Sequence, residues 1–223
     1  MTQTTHKTDH ELKAAVADEL EWAPSVNSDR IAISVDSGAI TLSGQVETYP
    51  EKEAATRAVL HVRGVTAVAD EITVKNTWAP REDSDIAREA SEALDRMVYV
   101  PAGAVQAKVH HHVITLTGSL TWEYQRQAAR DAMAVLRGVR GVVNMISLKP
   151  TAAMSPIEAK AKITAALIRN ARFDGQHITV HVDGTEIELS GTLSSWAEVR
   201  QASYAAWASP GVTRVENRIL VRY

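Results

Sequence analysis

Ile40-Thr-Leu-Ser-Gly44, Ile114-Thr-Leu-Thr-Gly118 and Ile187-Glu-Leu-Ser-Gly191 are one short run written three times in a chain of 223 residues. The closing glycines lie 74 and 73 residues apart. Twenty residues after each comes a Gly-Val pair, at Gly64-Val65, Gly138-Val139 and Gly211-Val212. A further valine follows three residues later, at Val68, Val142 and Val215. The register also holds backwards, through Val35, Val109 and Val182, then Ile31, Val105 and Ile178, to Leu20, Leu94 and Leu167. Chance copies one apolar run, not the spacing of a whole unit three times. The chain therefore reads as three homologous units, roughly 9–75, 83–149 and 155–221.

Each unit carries the same periodicities. Leu12, Val16 and Leu20 recur every four residues, as do Ile86, Ala90 and Leu94, and Ala159, Ile163 and Leu167. That spacing is one buried stripe of an amphipathic helix. Ile31, Ile33 and Val35 then alternate with period two, the mark of a strand with one packed face. A short turn leads to a second strand, Ile40/Leu42 in unit 1. In unit 3 the turn is Asp183-Gly184, strong hairpin chemistry, whereas His110-His-His112 in unit 2 is weaker. Thr48-x-x-Glu51 and Ser195-x-x-Glu198 fit a capping box at the start of a second, alanine-rich helix. Unit 2 has Trp122 at the capping position and keeps Gln125 three residues on. Gly64, Gly138 and Gly211 are expected to end this helix with positive φ, and a last strand follows at Ile72/Val74 and its counterparts. The expected fold is α/β (α+β): three tandem small α-β-β-α-β domains, each with two helices on a three-stranded mixed sheet. The third strand can lie beside either strand of the hairpin.

Composition narrows the function. There is no cysteine, which removes disulfide scaffolds, thiolate nucleophiles and Cys-built metal centres. The net charge of −3 gives no basic stripe for phosphate backbones, so no nucleic-acid partner is expected. Unit 1 is the acidic part, with 6 basic against 12 acidic residues. No apolar run approaches the roughly 18 residues of a membrane span. The opening residues lack an apolar signal core, so a cytoplasmic location is expected, with peripheral membrane association open to it.

No catalytic constellation converges. Glu51 and Glu53 fall in the first turn of a helix, where negative charge offsets exposed N–H groups. Glu186 and Glu188 alternate with Ile187 and Leu189, as a wet strand face does. Ser194 and Ser195 read as helix caps, since no Gly-x-Ser-x-Gly elbow surrounds them. His110, His111 and His112 form the densest imidazole cluster, yet an extended run points them to alternating sides, and His177 and His181 read as solvent-facing. Neither a metal nor a cofactor is expected. The chain is expected to be a binding module and not an enzyme.

The aromatic side chains offer the best candidate contacts. Tyr49, Trp122, Tyr124 and Trp196 all fall in or beside the loop leading into a second helix, and Trp78 lies in the linker between units 1 and 2. Each of the four either packs that loop against its own sheet or presents an amphipathic ring to a membrane surface or ligand. Trp78 is read as a wedge between units 1 and 2, as a similar ligand or membrane contact, or as simply exposed. Gly44, Gly118 and Gly191, with Gly64, Gly138 and Gly211, are structural.

The three runs, with Gly64-Val65-x-x-Val68, Gly138-Val139-x-x-Val142 and Gly211-Val212-x-x-Val215, resemble the BON family, the bacterial OsmY and nodulation domain. The asparagine that precedes the last strand in that family matches Asn144 and Asn217, and unit 1 has Asp70 there. The resemblance implies the α-β-β-α-β fold, envelope association, and links to phospholipid binding and osmotic or other stress. Two functions stay open: a phospholipid or membrane-surface module, or a scaffold that binds another protein or itself.

Overall fold

A computed structural model describes residues 8–75, 81–149, 155–169 and 178–221. The three units repeat one order of elements. Unit 1 runs α1 (Asp9–Trp22), β1 (Ile31–Asp36), β2 (Ala39–Val46), α2 (Tyr49–Val59) and β3 (Ala67–Val74). Unit 2 runs α3 (Asp83–Asp95), β4 (Val105–His110), β5 (Val113–Leu120), α4 (Glu123–Ala134) and β6 (Gly141–Leu148). Unit 3 runs α5 (Pro156–Arg169), β7 (Ile178–Asp183), β8 (Glu186–Leu193), α6 (Trp196–Trp207) and β9 (Arg214–Val221). In every unit the middle strand is the second, and the third lies parallel to it. That resolves the strand order left open by the short loops. A parallel partner needs a crossover, and the second helix is that crossover.

Both helices cover one face of each sheet. In unit 1, Leu12, Val16 and Leu20 meet Ile40, Leu42, Ala55, Val59 and Ile72, all buried. Ile86, Ile114, Leu116, Met133 and Ile146 build the equivalent core in unit 2, and Ile163, Leu167, Ile187, Leu189 and Ile219 in unit 3. Each fully buried Leu or Ile contributes about 1.5–3 kcal/mol relative to an exposed one.

The glycine that closes the repeated run is required by packing. Gly44 pairs with Ile31 across the hairpin, and Gly118 with Val105. A Cβ on either would lie 2.1 Å from the carbonyl oxygen of Arg30 or Ala104, and both have φ of +137°. No side chain fits there. This is why the motif recurs without exception.

The second helices end earlier than the sequence implies. The expectation placed their ends at Gly64, Gly138 and Gly211, but α2 stops at Val59 and α4 at Ala134. Tight turns carry the chain onward, with Val62 N–H donating to Val59 O and Val65 N–H to Val62 O. The glycines have positive φ, as expected, but they close this turn and not the helix itself. Side chains clamp the far strand to the helix. Asn144 Oδ1 accepts from Ile146 N–H at 3.2 Å while its Nδ2 donates to Arg126 O of α4 at 3.1 Å. Asp70 keeps the first bond, at 3.1 Å, and meets Lys52 and Thr56 of α2 in place of the amide donation.

The weak turn of unit 2 is rescued from outside. His111 and His112 both have positive φ, and their N–H groups donate to the Asp83 carboxylate at 2.8 and 2.9 Å. Asp9 does the same for Ser37 and Gly38 in unit 1. The His112 N–H bond, above all, holds the Asp83 carboxyl below its usual range.

Candidate functional site

The second helices of the three units form a head-to-tail ring, in which the start of each meets the end of the next. The start of α2 faces the end of α4, with Tyr49 and Pro50 beside Leu136 and Val139. Here Arg130 of α4 forms an ion pair with Glu53 of α2. Its Nη2 also donates to the Tyr49 hydroxyl at 3.5 Å, and the Tyr49 ring packs against the core of unit 2. The start of α6 meets the end of α2, where Trp196 Nε1–H donates to Val65 O at 3.0 Å and Arg200 Nη2 donates to His61 Nε2 at 2.7 Å. Both of these junctions are closed by polar bonds between units.

The third junction is open. The start of α4 approaches the end of α6, where the Arg126 guanidinium lies 4.8 Å from the Trp207 ring centroid. Trp207 packs against the cores of both units. Around that contact lies a groove of about 1260 Å³, lined by Trp122, Tyr124, Trp196, Tyr204 and Trp207 among others. Glu123 lies on its wall, 2.6 Å from Arg126 Nε, and burial pushes its carboxyl pKa up against the pull of that arginine.

The expected contact residues therefore divide. Trp122, Tyr124 and Trp196 converge on the groove, from two different units. Tyr49 does not join them, since it sits at the closed junction between units 1 and 2. Trp78 lies outside the described residues. Trp122 does not pack into its own unit's core, whereas Trp196 packs against the core of unit 3. Trp122 is 37% exposed, and Trp196 is half-buried with its N–H spent on unit 1.

A second feature adjoins the groove. Tyr99, in the loop after α3, meets Tyr124 edge-on at 6.1 Å between ring centroids. Gln125 Nε2 donates to Tyr99 O at 2.7 Å, and Gln125 Oε1 accepts from Trp122 N–H at 3.1 Å. One glutamine thus ties the loop to the start of α4. Val98 is 91% exposed, Tyr99 63% and Tyr124 56%, so with Trp122 they make a contiguous apolar edge on unit 2. Val98 and Tyr99 were missed in the sequence because no periodicity marks a loop.

Glu53 also differs from its sequence reading. Glu53 was assigned to a helix dipole, and its partner is instead an arginine of unit 2. The His110 and His111 rings lie 4.0 Å apart. Among the described residues, no three or more His, Asp or Glu side chains gather to hold a metal. His177 lies outside them.

The repeat, the fold and the strand clamp point one way, and the chain matches the BON domain over residues 8–76, 82–150 and 158–223. The chain belongs to the BON domain family. BON domains are non-catalytic, and this protein is a non-catalytic module of three BON units. It is 27% identical over 143 residues to Osmotically-inducible protein Y of Escherichia coli strain K12, a match covering 62% of this chain and 69% of that protein. Among solved structures, it aligns with CdsD, a structural protein of the type III secretion system of Chlamydia trachomatis, at 13% identity and a TM-score of 0.28. That alignment covers 94% of this chain and 91% of the other. The periplasmic domain of PrgH aligns over 87% of this chain and 96% of its own, at 12% identity and a TM-score of 0.23. Likenesses at that level carry nothing about function.

One expectation is overturned. The cytoplasmic location rested on the character of the first residues alone. The match to Osmotically-inducible protein Y contradicts it. No helix among the described residues is long and apolar enough to cross a membrane.

Proposed function

We propose that this three-BON protein associates with phospholipid surfaces in an envelope-protective role under osmotic stress, through the aromatic edge of unit 2. The observation that carries it is the contiguous exposure of Val98, Tyr99, Trp122 and Tyr124 at one helix start. Tyr and Trp rings pair an apolar body with a polar handle, which suits the headgroup region. Gln125 braces the edge from behind, so it is presented without further ordering cost. Similarity to Osmotically-inducible protein Y supports the stress context.

Co-sedimentation with phosphatidylcholine vesicles, with and without phosphatidylglycerol, tests this reading. The wild type should pellet with vesicles, and Tyr99→Ala with Tyr124→Ala should cut the bound fraction severalfold. Equal pelleting by the double variant would refute the edge.

A scaffold role has its own support. On the uncovered face of unit 2, Val143 is 46% and Met145 65% exposed, where unit 3 instead carries ion pairs of Arg214 with Glu186 and Arg218 with Glu188. Concentration-dependent mass by light scattering that disappears in Met145→Lys would favour self-association through that face.

A further inference from the structure

We propose that the open junction between α4 and α6 is a binding groove for one lipid monomer with a phosphate head, its hydrocarbon chain between the two helices and its head at Arg200. The proposal rests on the surface reading above but concerns a different act, the withdrawal of a single amphiphile from bulk lipid.

The groove's size and lining set the chain. At about 1260 Å³ it exceeds the roughly 300–1,000 Å³ of ordinary small-molecule pockets. Its aromatic lining comes from two units, with Trp122 and Tyr124 on one wall and Tyr204 and Trp207 on the other. A hydrocarbon chain there is removed from water at about 25 cal/mol per Å².

Charge sets the head. The groove's carboxylates are already engaged: Glu123 with Arg126 at 2.6 Å, and Asp131 with Arg130 at 3.1 Å and with Gln127 at 2.8 Å. Asn217 Nδ2 donates to Ser203 Oγ at 2.7 Å, so these polar groups are satisfied too. Arg200 is the exception. Its hydrogen-bond partner is an imidazole nitrogen, and among the described residues no carboxylate pairs with it. Burial, and then the nearby positive charge of Arg57, both press its pKa below the usual range. An arginine keeps its charge regardless, so an oxyanion beside it relieves both effects, and a guanidinium suits phosphate geometry. Zwitterionic and cationic heads gain less or nothing.

Monomeric lysolipids below their critical micelle concentration test this, read by the emission of Trp122, Trp196 and Trp207. Myristoyl lysophosphatidylglycerol should shift the emission to the blue and saturate at one per chain. Lysophosphatidylcholine of the same chain should bind about tenfold more weakly, and glycerophosphate alone should not saturate. Arg200→Gln should erase the preference between the two heads, Arg200→Lys should keep most of it, and Tyr204→Ala should weaken both lipids. Circular dichroism checks that each variant is folded. Absence of saturable binding by the lysophosphatidylglycerol, or an unchanged preference in Arg200→Gln, overturns the proposal. Vesicle association that persists in either case leaves the surface reading standing, so the two fail separately.

Discussion

The junction between units 1 and 2 and the junction between units 2 and 3 are built at equivalent positions of the repeat, yet one is clamped and the other gapes. At the first, Glu53 lies nine residues after its unit's shared glycine and pairs with Arg130, twelve after the next. At the second, the equivalent residues are Gln127 and Ser203, both neutral and both on the groove wall. Without an ion pair to draw the helices together, aromatic rings hold them apart. Trp207 has Leu60 and Ala134 as its counterparts, so the large ring is peculiar to this junction. A binding groove thus arises from three side-chain changes in a repeated contact, with the backbone plan unaltered.

The largest test asks whether the units are equivalent beneath their junctions. Gly44→Ala and Gly118→Ala should each cost about 3 kcal/mol in urea unfolding, because the new Cβ meets a carbonyl oxygen in both. Unequal losses would place the difference between units in their cores and not at the junctions.

A smaller effect is expected at the clamp. Arg130→Met should cost about 1–2 kcal/mol, since the Arg130–Glu53 pair is only about three-quarters buried, between the values for surface and buried pairs. A double-mutant cycle with Glu53→Gln should recover a coupling near 1 kcal/mol. The converse, Gln127→Glu with Ser203→Arg, should close the third junction and abolish the lysolipid signal. Retention of that signal with the fold intact would show that the missing ion pair is not what leaves the groove open.

The smallest effects are in pH and oppose one another within unit 2. Asp83 has a lowered pKa, so its contribution is present above the ordinary aspartate value of about 4 and lost as pH falls through the depressed one. Glu123 has a raised pKa, so the folded state holds its proton longer and stability falls as pH rises from about 4.3 through the raised value. Asp83→Asn should flatten the acid limb of the stability profile, and Glu123→Gln should remove the decline above it. Identical profiles for both variants and the wild type would contradict these environments.

Much of a single unit was legible because its signals are local. The period of Leu12, Val16 and Leu20 and the alternation of Ile31, Ile33 and Val35 report which face is buried, and each lies within a few residues. The capping residues were nearly as readable. Thr48 Oγ1 accepts from Glu51 N–H at 3.2 Å, although Glu51 reaches back to Glu47 and not to Thr48. The hairpin support by Asp83 was not legible, since its partners lie 28 and 29 residues away. Its echo in Asp9 was present in the repeat register but carried no hydrophobic signal to draw notice.

The sequence by itself determined three copies of an α-β-β-α-β unit, the need for glycine at 44 and 118, and the aromatic character of the second-helix starts. Burial periodicity and backbone sterics act within one unit and leave their mark in residue spacing. Only the tertiary structure decided the strand order, the ring of second helices, and the meeting of Trp122 and Trp196 on one groove. Those depend on how rigid units dock, and docking is set by a handful of side chains more than 70 residues apart, whose spacing along the chain bears no relation to their distance in space.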